Sequence, residues 1–139
     1  MTHLELLPNL KFLDLKHNKI QHLQNLNLLK NLEVLDISYN RIDCVAIQKN
    51  VPKLKELNIS NNPIQTLDGF EFFIALEKLN LKNIEIDDEE DYGVLKKLGN
   101  LKELDVDEDN MFIEDFIKEK LTWIKYLNGK FIKRKKKST

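Results

Sequence analysis

The sequence predicts an α/β solenoid, with a curved parallel sheet on its concave side, 3-10 or other short helical turns on its convex side, and a helical cap at the C-terminus. Three observations in the 139 residues point there. A leucine-spaced motif recurs five times in register. Apolar residues between the copies return at every third position. The last apolar run then shifts to helical spacing.

The motif reads LKFLDLKHNKI from Leu10, LEVLDISYNRI from Leu32, LKELNISNNPI from Leu54, LEKLNLKNIEI from Leu76 and LKELDVDEDNM from Leu101. The first four starts are 22 residues apart and the last interval is 25. Each copy follows L-x-x-L-x-L-x-x-N-x-L strictly or with one or two changes. The central L-x-L is a strand signature, because alternate side chains leave a strand on opposite faces. Leu13 and Leu15 therefore point inward, as do Leu35 and Ile37, Leu57 and Ile59, Leu79 and Leu81, and Leu104 and Val106. No single repeat can bury its own leucines, so each depends on its neighbours.

Asn18, Asn40 and Asn62 stand at the ninth position of the first three repeats, where an amide can donate to and accept from backbone groups left unpaired by the turn. Ile84 and Asp109 occupy that place in repeats four and five, so those turns are expected to be looser or differently bonded. Beyond the turns, the series Ile20, Leu23, Leu26, Leu29, Leu32 and the series Ile64, Leu67, Phe70, Phe73, Leu76 keep a period of three, suited to 3-10 turns with one buried edge. In the 25-residue repeat the series runs Ile86, Tyr92, Leu95, Leu98, Leu101, broken by Glu89. Its DDEED run, Asp87 to Asp91, reads as a solvated loop at the outer bend.

The ends differ from the repeats. Leu4, Leu7 and Leu10 look like the second half of a repeat. Phe112, Ile113, Phe116, Ile117, Leu121 and Ile124 fall near helical spacing, with Asp109 or Asn110 available as N-cap. Glu114 and Asp115 lie early in this helix and Lys118 and Lys120 late, as the helix dipole favours. A half-strand with Leu127 and a turn at Asn128-Gly129 complete a cap over 111–132, in which Trp123 and Tyr126 are read as core residues. The whole is one domain over 1–132, followed by a basic tail over 133–139 that reads as disordered.

Composition narrows the function class. The chain is 42% hydrophobic and 32% charged with a formal net charge of −1. It has no apolar run of about 18 residues, and no membrane association is expected. Met1 to Leu10 lacks the pattern of a secretory signal, and Cys44 is the one cysteine, so an intracellular protein, cytoplasmic or nuclear, is expected. No Ser-His-Asp order, P-loop or dinucleotide fingerprint is present, and four glycines are too sparse for a phosphate cradle. His3, His17 and His22 have no metal-ligand spacing and Cys44 has no partner in sequence. No metal, no cofactor and no catalytic residue are therefore expected, and the chain is not read as an enzyme.

These repeats resemble the 22-residue leucine-rich repeats of the class that includes a regulatory protein of protein phosphatase 1. The resemblance covers roughly Leu4 to Ile132. The stretch IEDFIKEKLTWIKYLNGKFI resembles the cap that follows the last repeat in this class. Short members with such a cap look like the acidic leucine-rich nuclear phosphoproteins, the spliceosomal A-prime protein and an axonemal dynein light chain. The run LKKLGNLKELDV is most like the first two, although this chain ends in lysines where the phosphoproteins carry a long acidic tail. The resemblance implies a leucine-rich-repeat solenoid that acts by scaffold or regulatory binding, without catalysis.

Binding is expected on the concave face, at the third, fifth, seventh and eighth positions of each repeat. Phe12, Val34 and Tyr39 are apolar or aromatic there, a grouping that suits a binding hot spot and is compatible with cross-strand packing worth ~0.2–1 kcal/mol per pair. Asp14, Asp36, Asn58, Asn80 and Asp105 form an acid-or-amide column. Glu103, Asp107 and Glu108 make the C-terminal half acidic, which suits a basic peptide or helix or is simply a solvated face. His17 completes the candidate set.

The expected function is an intracellular protein-protein interaction module, a scaffold or regulatory subunit holding a partner helix or peptide. The alternative is a subunit of a nuclear ribonucleoprotein or chromatin assembly, recruited through a protein partner and associated with RNA or chromatin only indirectly. Lys133 to Lys137 would then serve as an import signal or weak nucleic-acid contact. A monomer is expected, with the N-terminal edge as a surface for association.

Overall fold

The computed structural model describes residues 3–134. Its strands are β1 (Phe12–Asp14), β2 (His22–Leu23), β3 (Val34–Asp36), β4 (Cys44–Val45), β5 (Glu56–Asn58), β6 (Lys78–Asn80), β7 (Glu103–Asp105), β8 (Tyr126–Leu127) and β9 (Lys130–Phe131). Seven of them form one sheet in the order β1-β3-β5-β6-β7-β8-β9. Neighbours are parallel from β1 through β8, and β9 returns antiparallel to β8.

Register follows the motif. Leu13, Leu35, Leu57, Leu79 and Leu104 are successive partners across the sheet and end against Leu127. The central strand leucines are buried, whereas Leu13 and Leu15 are half-buried, because among the described residues β1 is the edge strand of the sheet.

The period of three produces 3-10 turns at Leu4–Leu6, Leu26–Leu28, Phe70–Phe72 and Glu89–Lys97. In the third repeat, Phe70 and Phe73 are fully enclosed and meet edge to face at 5.6 Å. The longest turn carries the extra three-residue step. Asp87 to Asp91 is not a loop: Asp88 accepts from the Glu90 amide as N-cap, and Glu89, Glu90 and Asp91 form the first turn, where negative charge suits unpaired N–H groups.

The second repeat has no such turn. Instead, β2 and β4 form a separate two-stranded parallel sheet, pairing His22 with Cys44 and Leu23 with Val45. Two residues are too few for alternation to be legible in sequence.

The turn asparagines bond as their chemistry requires. The Asn40 amide nitrogen donates to the carbonyls of Leu15, Ile37 and Ser38, and its oxygen accepts from the Ile20 amide. One repeat on, the Asn62 nitrogen donates to Ile37, Ile59 and Ser60, and its oxygen accepts from Ile42. Asn18 donates to Leu15 and Lys16, within its own turn, and is exposed. Ile84 has no amide to offer, so the Ile64 N–H bonds back to the Asn62 carbonyl at 2.8 Å. The differently bonded turn expected at that substitution is therefore present. In the cap, the Asn128 side-chain oxygen accepts from the Val106 amide, in place of the strand carbonyl that receives this bond in the earlier repeats.

The cap helix, α1, spans Met111–Lys120, with Asn110 as N-cap accepting from Ile113. Ile113, Phe116, Ile117, Leu121 and Ile124 are buried. Three residues read as cap core or tail behave otherwise. Phe112 is 76% exposed, because it falls one step off the buried stripe of α1. Tyr126 lies outward on β8, where it meets Phe131 edge to face at 5.7 Å. Within the basic run, Arg134 donates to the carbonyls of Ile124 and Leu121, closing the C-terminal side of the cap. The rest of the tail, 135–139, lies outside the described residues.

Candidate functional site

Because β1, β3, β5, β6 and β7 are in register, the third, fifth and eighth positions become rows across the concave face. The third-position row is Phe12, Val34, Glu56, Lys78 and Glu103, with Tyr126 of the cap as its last member. Phe12 is 72% exposed and Val34 half-buried beside it.

The fifth-position row is Asp14, Asp36, Asn58, Asn80 and Asp105. Its acid-or-amide character has a local cause. Asp14 accepts from the Lys16 amide, Asp36 from Ser38, Asn58 from Ser60 and Asn80 from Lys82, each two residues on. These are Asx turns, which end each strand and aim the chain into the bend. Asp14 is exposed; Asp36, Asn58, Asn80 and Asp105 are half-buried.

Seventh-position residues do not all face solvent as expected. Ser38 and Ser60 are buried, their hydroxyls donating to Asp36 and Asn58 at 2.6 and 2.8 Å. A small hydroxyl can fold back onto the Asx carboxyl or amide, whereas the Lys16 chain extends outward and Lys82 and Asp107 are half-buried. Asp107 uses both carboxylate oxygens to accept from the Asn83 amide.

The eighth-position row is His17, Tyr39, Asn61 and Asn83, all with φ between 53° and 56°. Left-handed backbone turns each side chain onto its neighbour. The rings of His17 and Tyr39 stack with centroids 4.5 Å apart, and Asn83 donates to Asn61 at 2.9 Å. Asparagine and, less often, histidine tolerate this conformation, so Asn61, Asn83 and His17 were the available signal; Tyr39 gave none.

The aromatic candidates thus divide into two groups. Phe12 and Val34 pair at one end of the strand face, while Tyr39 stacks on His17 at the other, five residues along the chain. The Asx row lies between. A shallow groove of about 340 Å³ crosses the middle, lined by Val34, Asp36, Glu56, Asn58, Lys78, Asn80 and Asp105 among others.

Charge across the face is mostly acidic. Lys16 pairs with Asp14 at 3.1 Å and Lys78 with Glu103 at 3.5 Å. The Asp14 carboxyl is held below its ordinary pKa by hydrogen bonds from the Lys16 amide and side chain, and Lys16 is correspondingly raised by Asp14. Asp36, Glu56, Asp105, Asp107 and Glu108 have no ion-pair partner among the described residues.

Away from this face, Cys44 has side chains of metal-ligating type beside it, which its place in the sequence does not show. Ligand atoms of His22, Asp43 and Cys44 all lie within 4.8 Å of one another. The solenoid brings His22 beside Cys44 from one repeat earlier, a proximity that linear spacing does not display. A hydrogen bond with Asp43, then burial and the Asp43 charge, push the Cys44 thiol above its ordinary pKa. Among the described residues, no helix is long and apolar enough to cross a membrane.

Comparison with known proteins gives one consistent answer on family. The chain matches leucine-rich repeats in two copies over residues 52–93, and single leucine-rich repeats over 7–22 and 31–49. No curated protein sequence matches it.

Among solved structures it is similar to the Drosophila melanogaster SNF/U2A' complex, with a TM-score of 0.79 and 22% identity over 88% of this chain and 75% of that one. Internalin C2 of Listeria monocytogenes is similar at a TM-score of 0.66 and 24% identity, over 84% of this chain and 50% of its own. At these identities the likeness is one of fold. Repeat motif, stacked sheet, asparagine turns and sequence matches spanning just over half of the residues agree, and the chain is a member of the leucine-rich-repeat family.

Proposed function

We propose that this protein is a protein-protein interaction module, a scaffold or regulatory subunit whose concave face receives a basic peptide or helix. The observation that carries this reading is the groove of about 340 Å³, whose floor and walls include Asp36, Glu56 and Asp105, none of them ion-paired among the described residues. Phe12 and Tyr39 stand exposed in the first two repeats, at opposite edges of the strand face. An extended or helical cationic segment crossing the strands would meet carboxylates along its length and apolar anchors at its end over the first two repeats. That arrangement uses charge for encounter and register and aromatic burial for affinity.

A pull-down from source-organism lysate with wild type, Phe12→Ala, Tyr39→Ala and Asp36→Lys/Asp105→Lys baits, each checked for folding, tests the reading. Loss of one stoichiometric partner in the charge-reversal bait, with weakening in either aromatic bait, is the expected result. Unchanged capture by every bait would overturn the concave site.

A second reading is favoured by one comparison. The similar Drosophila melanogaster structure is a SNF/U2A' complex, which supports a role within a nuclear ribonucleoprotein or chromatin assembly, reached through a protein partner. Under this reading RNA recovery would depend on the partner and fall with rising salt. RNA recovery that survives removal of the partner would count against it.

A further inference from the structure

The β2–β4 pair turns one face inward and one outward. Leu23 and Val45 are buried in the core, so their strand neighbours His22 and Cys44 project from the opposite face, side by side across a parallel pair. Asp43, immediately before β4, brings its carboxylate to the same place. We propose that His22, Asp43 and Cys44 form a three-ligand binding site for a borderline-soft divalent metal, Zn2+ in the first instance, with water as the fourth ligand.

The donor set selects the metal class. One imidazole nitrogen, one thiolate sulfur and one carboxylate oxygen match Zn2+, whereas Ca2+ and Mg2+ take oxygen shells. Bonds of about 2.0–2.3 Å place tetrahedral ligands roughly 3.3–3.8 Å apart. The three ligand atoms already lie within 4.8 Å of one another, about 1 Å beyond those separations. His22 and Asp43 are exposed and Cys44 half-buried, which leaves them free to rotate.

The backbone beneath is held. Arg41 donates to Ile20, Ala46 to Leu23 and Gln65 to the Asp43 carbonyl. On binding, the Cys44 thiol releases its proton to solvent as the sulfur-metal bond forms. The bound ion would cross-link repeats one and two where repeat two has no 3-10 turn.

Titration of the full chain with Co2+ as a spectroscopic probe tests the site. The expected result is one equivalent bound with tetrahedral d–d bands and a thiolate-to-cobalt charge-transfer band, displaced by Zn2+. Cys44→Ser should abolish the charge-transfer band, and His22→Ala should weaken binding on the order of tenfold or more. His3→Ala and His17→Ala should leave both unchanged, and circular dichroism should show every variant folded. Zn2+ should raise the Tm of wild type and not that of Cys44→Ser. Absence of a charge-transfer band in wild type, or unaltered affinity in His22→Ala, would overturn the proposal.

Discussion

The indole N–H of Trp123 donates to the carbonyl of Leu98 at 3.1 Å, joining the cap to the end of the long 3-10 turn of repeat four. This bond reaches back 25 residues in sequence and lies partly out of water. Trp123→Phe keeps an aromatic ring but leaves that carbonyl without its donor. The expected loss is ~1–2 kcal/mol of unfolding free energy, read from urea denaturation. An unchanged midpoint would show that water replaces the indole without cost.

Asn62 and Asn18 occupy the same motif position with different surroundings. Asn62 is buried and bridges two repeats, while Asn18 is exposed and bonds only within its own turn. Asn62→Ala strands several buried backbone groups and should cost about 3 kcal/mol, whereas Asn18→Ala should cost less than about 1 kcal/mol. Equal losses from the two substitutions in matched denaturation curves would contradict the ladder.

Gly69 has φ +90°, and a Cβ there would stand 2.5 Å from the Val45 carbonyl oxygen of the previous repeat. Gly69→Ala combines left-handed strain with a backbone clash. It should destabilise the chain by ~1–3 kcal/mol or more. Gly93→Ala, whose Cβ would meet nothing within 4 Å, is the matched control and should be near neutral in thermal melts.

Tyr92 is buried, and its phenol is pushed up to about 12, first by burial and then by the charges of Asp107, Asp91 and Asp87. In the unfolded chain a phenol ionises near 10. Below that pH both states hold the proton. From about 10 toward 12 the unfolded state releases it first, so stability falls as pH rises through this window. Tyr92→Phe should flatten that alkaline slope in denaturant midpoints measured across it. A slope unchanged in the variant would place its origin elsewhere.

The elements were largely legible because the motif carries its own physics. Leu57 and Ile59 had to share a face, Phe70 and Phe73 had to meet on one 3-10 edge, and Asn40 had to serve a turn. Other residues were misread where one residue type serves two ends. Ser38 could face solvent or fold back onto Asp36, and only the Asx turn decides. Phe112 fits helical spacing as well as Ile113 does until the orientation of α1 against the last repeat is known. Arg134 looked like part of a charge run, yet the carbonyls of Leu121 and Ile124 claim it.

Sequence alone determined the repeat length, the inward leucines, the turn asparagines, the 3-10 edges and the existence of a capped end, because those depend on spacing within one repeat. Tertiary structure alone decided what stands beside what between repeats. It separated Phe12 from Tyr39, stacked His17 on Tyr39, and placed His22 against Asp43 and Cys44. Register across a sheet turns a difference of 22 residues into a few ångströms, and neither composition nor linear spacing encodes the chemistry that results.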